Sequence, residues 1–356
     1  MKKIRVGIVG TGWGQLQVEA FHRVRDVEIV ALCDVDAARL EDVAKRYKIA
    51  QTFSDYRELL AREDVELVSV ATPPDSHYPI TRAAIDAGKH VVCEKPLALD
   101  TNDACDLLAR ATKRGIIYAV DYEMRYLPAV AYAKELIDEE YLGQLWRVDV
   151  TMTLENPWGR EHGNWAADDA RGGGILWELG SHFIDILRWW FGDVSAVLAE
   201  RRTNFPTVKI PNASGDGSTI QSVTGDDAFW CVLRFARGGE ALLNFVSGAR
   251  HDPGWTIGAY GQSGSLVVQG GGLLGKRDID REMALLPIPK RLELGDNPRD
   301  PLLWSMVKLF ERVVEKIRGA HDVSSFPTFN DGVQGARIVN AIRRASEAHG
   351  WIRVEE

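Results

Sequence analysis

The chain has 356 residues, 45% hydrophobic and 26% charged, with a net charge of -8. That length exceeds one ordinary core, so two domains are expected, and the composition excludes a disordered chain. An acidic balance without long Lys/Arg runs argues against a nucleic-acid or anionic-membrane partner, and no apolar run is long enough to span a bilayer.

The opening Met1-Lys2-Lys3-Ile4 has the basic start of a signal peptide. Arg5 interrupts the apolar stretch and a glycine turn follows, so the segment is read as the first strand of a cytoplasmic protein. Cys33, Cys93, Cys105 and Cys231 show no paired spacing for zinc or a redox dithiol. Reduced thiols fit the cytosol.

In chain order, Ile4 to Val9 predicts a strand, Gly10-Thr11-Gly12-Trp13-Gly14 a turn, and Leu16 to Val24 a helix. Val27 to Cys33 then predicts a second strand ending at Asp34. This succession is a dinucleotide-binding unit: Gly10 allows the tight turn, and Gly12 lets a pyrophosphate approach the amides at a helix N-terminus. Thr11, Trp13 and Gly14 complete that turn. Asp34, about twenty residues on, is placed to hold the adenosine ribose hydroxyls, which favours NAD; Arg39 keeps NADP open. The third glycine of the motif would be residue 15, which is Gln15. A merely structural βαβ turn is the alternative.

Ser54 to Ala61 predicts a short helix, and Val65 to Ala71 a buried strand that breaks at Thr72-Pro73-Pro74-Asp75-Ser76-His77. A helix over Tyr78 to Ala87 follows, then a strand from His90 to Cys93 ending on Glu94-Lys95-Pro96. Asp100 to Asp103 reads as a cap before a helix over Ala104 to Lys113, and Ile116 to Val120 as a further strand. Strands separated by helices imply a parallel sheet, with three loops on its carboxyl edge. A lysine fixed at that edge can donate or accept a proton. The plainer alternative is a strand end with two solvated charges.

The Gly10–Gly14 turn, the Ala71–His77 loop and Glu94-Lys95-Pro96 together resemble the Gfo/Idh/MocA oxidoreductases. The resemblance implies NAD(P) lying across the three loops, with Lys95 as the catalytic lysine and Thr72, Pro73, His77 and Glu94 along the cofactor.

Beyond Val120 the pattern changes. Glu123 and Arg125 match loosely the polar positions of the family's crossover segment, where the resemblance implies substrate contact; a solvated charge pair is the alternative. Pro128 to Glu140 predicts a helix and Leu145 to Leu154 a strand. Trp158 and Trp165, in the irregular stretch from Glu155 to Arg171, can stack on a sugar ring or simply fill a core.

In Gly172-Gly173-Gly174-Ile175-Leu176-Trp177-Glu178-Leu179-Gly180-Ser181-His182-Phe183-Ile184-Asp185, helical spacing after Gly174 puts Glu178, His182 and Asp185 on one face. Histidine suits proton exchange near neutral pH. A metal site lacks a second histidine or thiolate pair, so none is expected; a packed helix with a core histidine is the other alternative. The stretch also resembles the family's glycine-rich Asp-x-x-x-His-x-x-Asp segment. His182 falls on the catalytic histidine, and Glu178 stands where many members have Asp.

From Val194 to Val268 short strands with glycine turns imply a largely antiparallel sheet. Thr203 to Thr224 reads as a loop or excursion, residues 270 to 300 give little signal, and Leu302 to Ile317 and Val333 to Ala348 show helical spacing. The expectation is an α/β protein. A Rossmann-type parallel-sheet domain over residues 1–121 precedes an α+β domain over 122–356 with a large, mostly antiparallel open sheet. Between them NAD, or NADP, would exchange hydride with a secondary alcohol of a sugar or cyclitol. Lys95 and His182 would handle the proton, with Glu178 and Asp185 orienting them. A redox-neutral epimerase, lyase or glycosidase using the same cofactor, or a non-catalytic NAD sensor, is the alternative. An uncovered sheet face would make the protein a homo-oligomer, a dimer or tetramer.

Overall fold

A computed structural model describes residues 2–155, 165–211, 217–294, 300–320 and 325–355. The chain forms two compact units, the first from Met1–Tyr126 and Leu294–Ala336, the second from Leu127–Glu293 and Arg337–Glu356. These differ from the consecutive stretches 1–121 and 122–356 because a late segment returns to the first unit.

In the first unit the strands are β1 (Ile4–Val9), β2 (Val27–Cys33), β3 (Thr52–Phe53), β4 (Leu67–Val70), β5 (His90–Cys93) and β6 (Tyr118–Val120). The helices are α1 (Gly14–Arg23), α2 (Ala37–Tyr47), α3 (Tyr56–Leu60), α4 (His77–Asp86) and α5 (Thr101–Arg114). The sheet runs β3-β2-β1-β4-β5-β6 and every pairing is parallel. That order reverses direction between β1 and β4, and at such a switch point the two following loops diverge and open a crevice. All four residues of β4 are buried, as a strand covered on both faces must be.

Local signals set the helix ends. Asp36 accepts from Arg39 N at 3.0 Å to start α2, and Asp100 accepts from Asn102 N at 2.7 Å to start α5. Helix α2 carries no sequence assignment of its own above; its apolar side rests on only three buried residues, Leu40, Val43 and Ala44.

Two core layers sandwich the sheet. One gathers Val6, Ile8, Phe21 and Val43 with Met306, Phe310 and Val313. The other gathers Val68, Val70, Ile85 and Leu107 with Phe329 and Val333. The late residues lie on α8 (Pro301–Ile317) and the start of α9 (Phe329–Ala348). Phe310 stacks on Phe21 with centroids 4.1 Å apart, which ties α8 to α1.

The second unit contains α6 (Pro128–Asp138), β7 (Leu145–Leu154), α7 (Ser181–Phe191) and β8 (Val194–Arg202). After them come β9 (Thr207–Pro211), β10 (Ser218–Ser222), β11 (Ala228–Phe235), β12 (Glu240–Ser247), β13 (Gly254–Gly261), β14 (Gly264–Gln269), β15 (Gly272–Arg277), β16 (Ala284–Leu285) and β17 (Ile352–Arg353). Nine strands form one sheet, β16-β15-β14-β13-β7-β12-β11-β8-β17, antiparallel except for β7 beside β12. On its inner face, Phe183 of α7 meets Phe245 and Trp255 edge-on at 5.1 and 5.4 Å.

Two sequence expectations change here. The excursion after Thr203 carries a two-stranded hairpin, β9 with β10, and residues 272–285 extend the large sheet by β15 and β16. Glycine and proline in both segments mask the alternation that marks a strand.

Candidate active site

Gly10 has φ +95°, and a Cβ there would lie 2.5 Å from the Ala71 carbonyl oxygen. Only glycine lets the end of β1 pass so close to the end of β4. A Cβ on Gly12 would meet nothing within 4 Å, so this glycine leaves open space in front of the turn. Gly14 is the first residue of α1, and its Cβ position is 3.3 Å from the Ala71 methyl. Close helix–sheet packing therefore falls on Gly14, and Gln15 is free to turn outward and accept from Arg46 at 3.1 Å. No side chain caps the N-terminus of α1 and its first turn carries no acid. Open space at Gly12, in front of a helix N-terminus with no side-chain cap, fits a pyrophosphate.

Asp34 is buried at the end of β2. Its Oδ2 accepts from Thr11 N at 2.6 Å and Thr11 Oγ1 at 2.7 Å; its Oδ1 accepts from Asp36 N at 2.8 Å and Arg39 Nη2 at 2.9 Å. Burial opposes ionisation, but the Arg39 hydrogen bond and the Asp36 and Thr11 donors outweigh it and hold the carboxyl below its usual range. Trp13 is 48% exposed on the same turn.

The next loop is built around His77. Its Nδ1 lies 2.6 Å from the Pro96 carbonyl and its Nε2 2.8 Å from the Thr72 carbonyl, which joins the loop after β4 to the turn after β5. The ring is buried, so its influence on a ligand passes through the loops it joins. Thr72, Pro73 and Lys95 are partly exposed at this edge, and the Lys95–Pro96 peptide is cis.

Glu94 is not a solvated strand-end charge. It is 5% exposed, and its Oε1 accepts from Gln17 Nε2 at 2.8 Å. The same nitrogen reaches Asp121 Oδ2 at 3.0 Å, and Ser69 Oγ donates to Gln17 Oε1 at 2.5 Å. Gln17, Ser69 and Asp121 are each fully buried, and none stood out in the sequence. A polar residue on the buried face of α1 was the available signal. Burial pushes both carboxyls above their usual range, Asp121 further because the Glu94 charge adds to it. Glu123 and Arg125 are also buried, which removes the solvated-pair alternative; Arg125 Nη2 donates to Asp331 Oδ1 at 2.9 Å.

In the second unit, Glu178, His182 and Asp185 are 7%, 6% and 2% exposed. Leu176–Gly180 is a π-helical turn before α7. The expected α-helical spacing therefore holds from His182 to Asp185 but not from Glu178 to His182. Such bulges are common at functional sites because they re-aim one side chain. Asp226 sets the entry to this turn. Its carbonyl accepts from Ile175 N at 2.9 Å and its Oδ2 from Leu176 N at 3.1 Å. Arg201 pairs with Asp226 at 3.0 Å and Asp169 at 2.5 Å, and Arg343 with Asp169 at 2.6 Å. Trp165 is partly exposed in a short 3₁₀ turn, whereas Trp158 lies outside the described residues.

Comparison with known proteins matches this arrangement. Residues 4–122 fit the description "oxidoreductase family, NAD-binding Rossmann fold" and residues 130–267 the GFO/IDH/MocA C-terminal domain. Levoglucosan dehydrogenase of Pseudarthrobacter phenanthrenivorans is 28% identical over 345 residues, 88% of this chain and 86% of that one. The crystal structure of an oxidoreductase domain protein from Kribbella flavida superposes with a TM-score of 0.89 at 26% identity, over 100% of both chains. Levoglucosan dehydrogenase in complex with NADH and levoglucosan superposes at 0.87 with 23% identity, over 100% of both. With its glycine turn, switch-point crevice and second-unit open sheet, the chain belongs to the GFO/IDH/MocA oxidoreductase family, and its first unit is an NAD-binding Rossmann domain.

Proposed function

We propose that the protein is an NAD(P)-dependent dehydrogenase that oxidises a secondary alcohol of a sugar or cyclitol. The observation that carries this reading is the Glu94-Lys95-Pro96 turn, braced through His77 at the edge where the NAD-binding glycine turn opens. Relatives named as levoglucosan and D-glucoside dehydrogenases support the substrate class. NAD, when bound, supplies the hydride acceptor. Lys95 holds the substrate hydroxyl and, with His182, carries its proton; Glu178 and Asp185 orient the imidazole. Glu123, Arg125 and Trp165 contribute to the substrate pocket. Asp34, held ionised, selects a ribose hydroxyl over a 2′-phosphate, so NAD is the preferred cofactor.

The experiment is purified protein with NAD or NADP and a panel of polyols, sugars and cyclitols, following reduced cofactor. Turnover with NAD that Lys95→Met removes supports the reading. Retained cofactor and altered sugar without NADH release would replace it with a redox-neutral reaction.

One row of paired residues on the outer face of the large sheet carries partly exposed apolar side chains at both ends, Leu198, Val232 and Leu242 on one side and Val267 and Leu274 on the other, with Asp149 and Gly258 between them. A second copy of the chain covers this face in our reading. Light scattering at micromolar concentration tests it, and a monomer would refute it.

A further inference from the structure

Gln17 spends both amide hydrogens on acids, reaching Glu94 at 2.8 Å and Asp121 at 3.0 Å. Its own oxygen takes the Ser69 hydroxyl at 2.5 Å. The reverse amide orientation would set that oxygen against two acceptors. Glu94 Oε1 and Asp121 Oδ2 both lie on the one Gln17 nitrogen, so the two acids adjoin in a buried site, and burial together with the Glu94 charge pushes Asp121 above its usual range. Two adjoining buried carboxylates would repel and lose hydration together. Asp121 Oδ1 is buried with no hydrogen-bond donor among the described residues, which a neutral acid tolerates and a carboxylate does not. Glu94 Oε2 instead receives Lys95 N at 3.2 Å.

We propose that Glu94 and Asp121 share one proton under the Gln17 amide, with the charge on Glu94, and that this monoanion fixes the backbone carrying Lys95. Gln17 and Asp121 are then positioning residues, a role that rests on the dehydrogenase reading of Lys95. Four elements meet here: α1 brings Gln17, β4 brings Ser69, and the ends of β5 and β6 bring the acids. The other titratable groups acting on the pair are Lys95, which favours the Glu94 anion, and Glu123, which raises Asp121 further. The adjacent Cys93 thiol, pushed up to about 12 chiefly by burial, stays neutral.

The shared proton is read without turnover, by infrared spectroscopy of the full-length, substrate-free protein at neutral pH. The carbonyl stretch of a protonated carboxyl, assigned by ¹³C-aspartate labelling, is expected in the wild type. It is lost in both Asp121→Asn and Glu94→Gln, each checked for a cooperative melt. No such band in the wild type, or a band surviving in both variants, overturns the pair. Positioning is read from Gln17→Leu: kcat per NADH-binding site falls about 10- to 100-fold while NADH affinity stays within about threefold. Unchanged kcat per site overturns the positioning role. Since the band needs no substrate, failure of the pair is distinguishable from failure of the dehydrogenase reading.

Discussion

Arg39 lies against Asp34 with its Nη2 2.9 Å from Oδ1 and its Nε 3.3 Å from Oδ2. Together with the Thr11 and Asp36 donors, this fills the roughly four acceptor positions a carboxylate has. A ribose hydroxyl must therefore displace the guanidinium, whose side chain is 40% exposed and can move. A 2′-phosphate would instead draw Arg39 away. Asp34→Ser is expected to weaken NADH about tenfold, as loss of a charged hydrogen bond does, and to leave NADPH unharmed or improved. Arg39→Ala is expected to weaken NADPH more than NADH. Fluorescence titration of both cofactors checks this; equal losses for both would contradict the arrangement.

Lys95→Met and His182→Asn should each lower kcat by about 10²- to 10⁴-fold, the range for removing a proton-transfer group. NADH binding by the Lys95 variant should stay near that of the wild type. A stopped-flow measurement of NADH formation with the best polyol separates the chemical step from product release. Full turnover in both variants would remove the assigned roles.

His77 makes stability depend on pH. Burial holds its pKa below the ordinary histidine value, with Lys95 adding to the effect, and outweighs the pull of the Pro96 and Thr72 carbonyls, to only one of which the neutral ring donates. The unfolded chain binds a proton near pH 6.5 that the native ring refuses until lower pH. The unfolded state thus holds more protons in that window, and stability falls as pH drops through it. Urea midpoints from pH 8 to pH 5 should decline in the wild type, and His77→Gln should flatten that decline. An unchanged slope would place the titration elsewhere.

Gly174 sits at φ +99°, and a Cβ there would come within 2.5 Å of Asp226 Oδ1. Gly174→Ala is expected to cost about 1–3 kcal/mol from backbone conformation alone, with the clash in addition. Arg201→Met strands the buried Asp226 carboxylate and should cost about 3–5 kcal/mol. Thermal melts of both variants check the direction. If either melts with the wild type, the Asp226 anchor does not set the entry to the π turn.

Much of the first unit is legible from local pattern. Strand ends at Asp34 and Glu94, the helix starting after Asp100 and the parallel succession all follow from apolar runs punctuated by glycine, proline and capping acids. Leu145 to Leu154 also emerges as one strand with its expected bounds. The glycine motif needed the structure for one detail: α1 begins at Gly14, two residues before the expected Leu16, and Gly14 itself packs on Ala71, so the departure at Gln15 costs no packing. The π turn at Leu176–Gly180 was not legible, because a single extra residue in a helix leaves no periodic trace. Nor was the return of α8 to the first unit, since its apolar face fits any core until Phe310 meets Phe21.

Sequence by itself determined the alternation of strands and helices, the cofactor turn and which lysine ends a strand, because backbone sterics and side-chain periodicity act over a few residues. Tertiary structure alone decided that Gln17, Ser69, Glu94 and Asp121 form one buried cluster. They stand up to 104 positions apart. What joins them is a strand order that sets β4, β5 and β6 side by side under the Gln17 side chain of α1, so that each polar group can find its partner only once all four are placed.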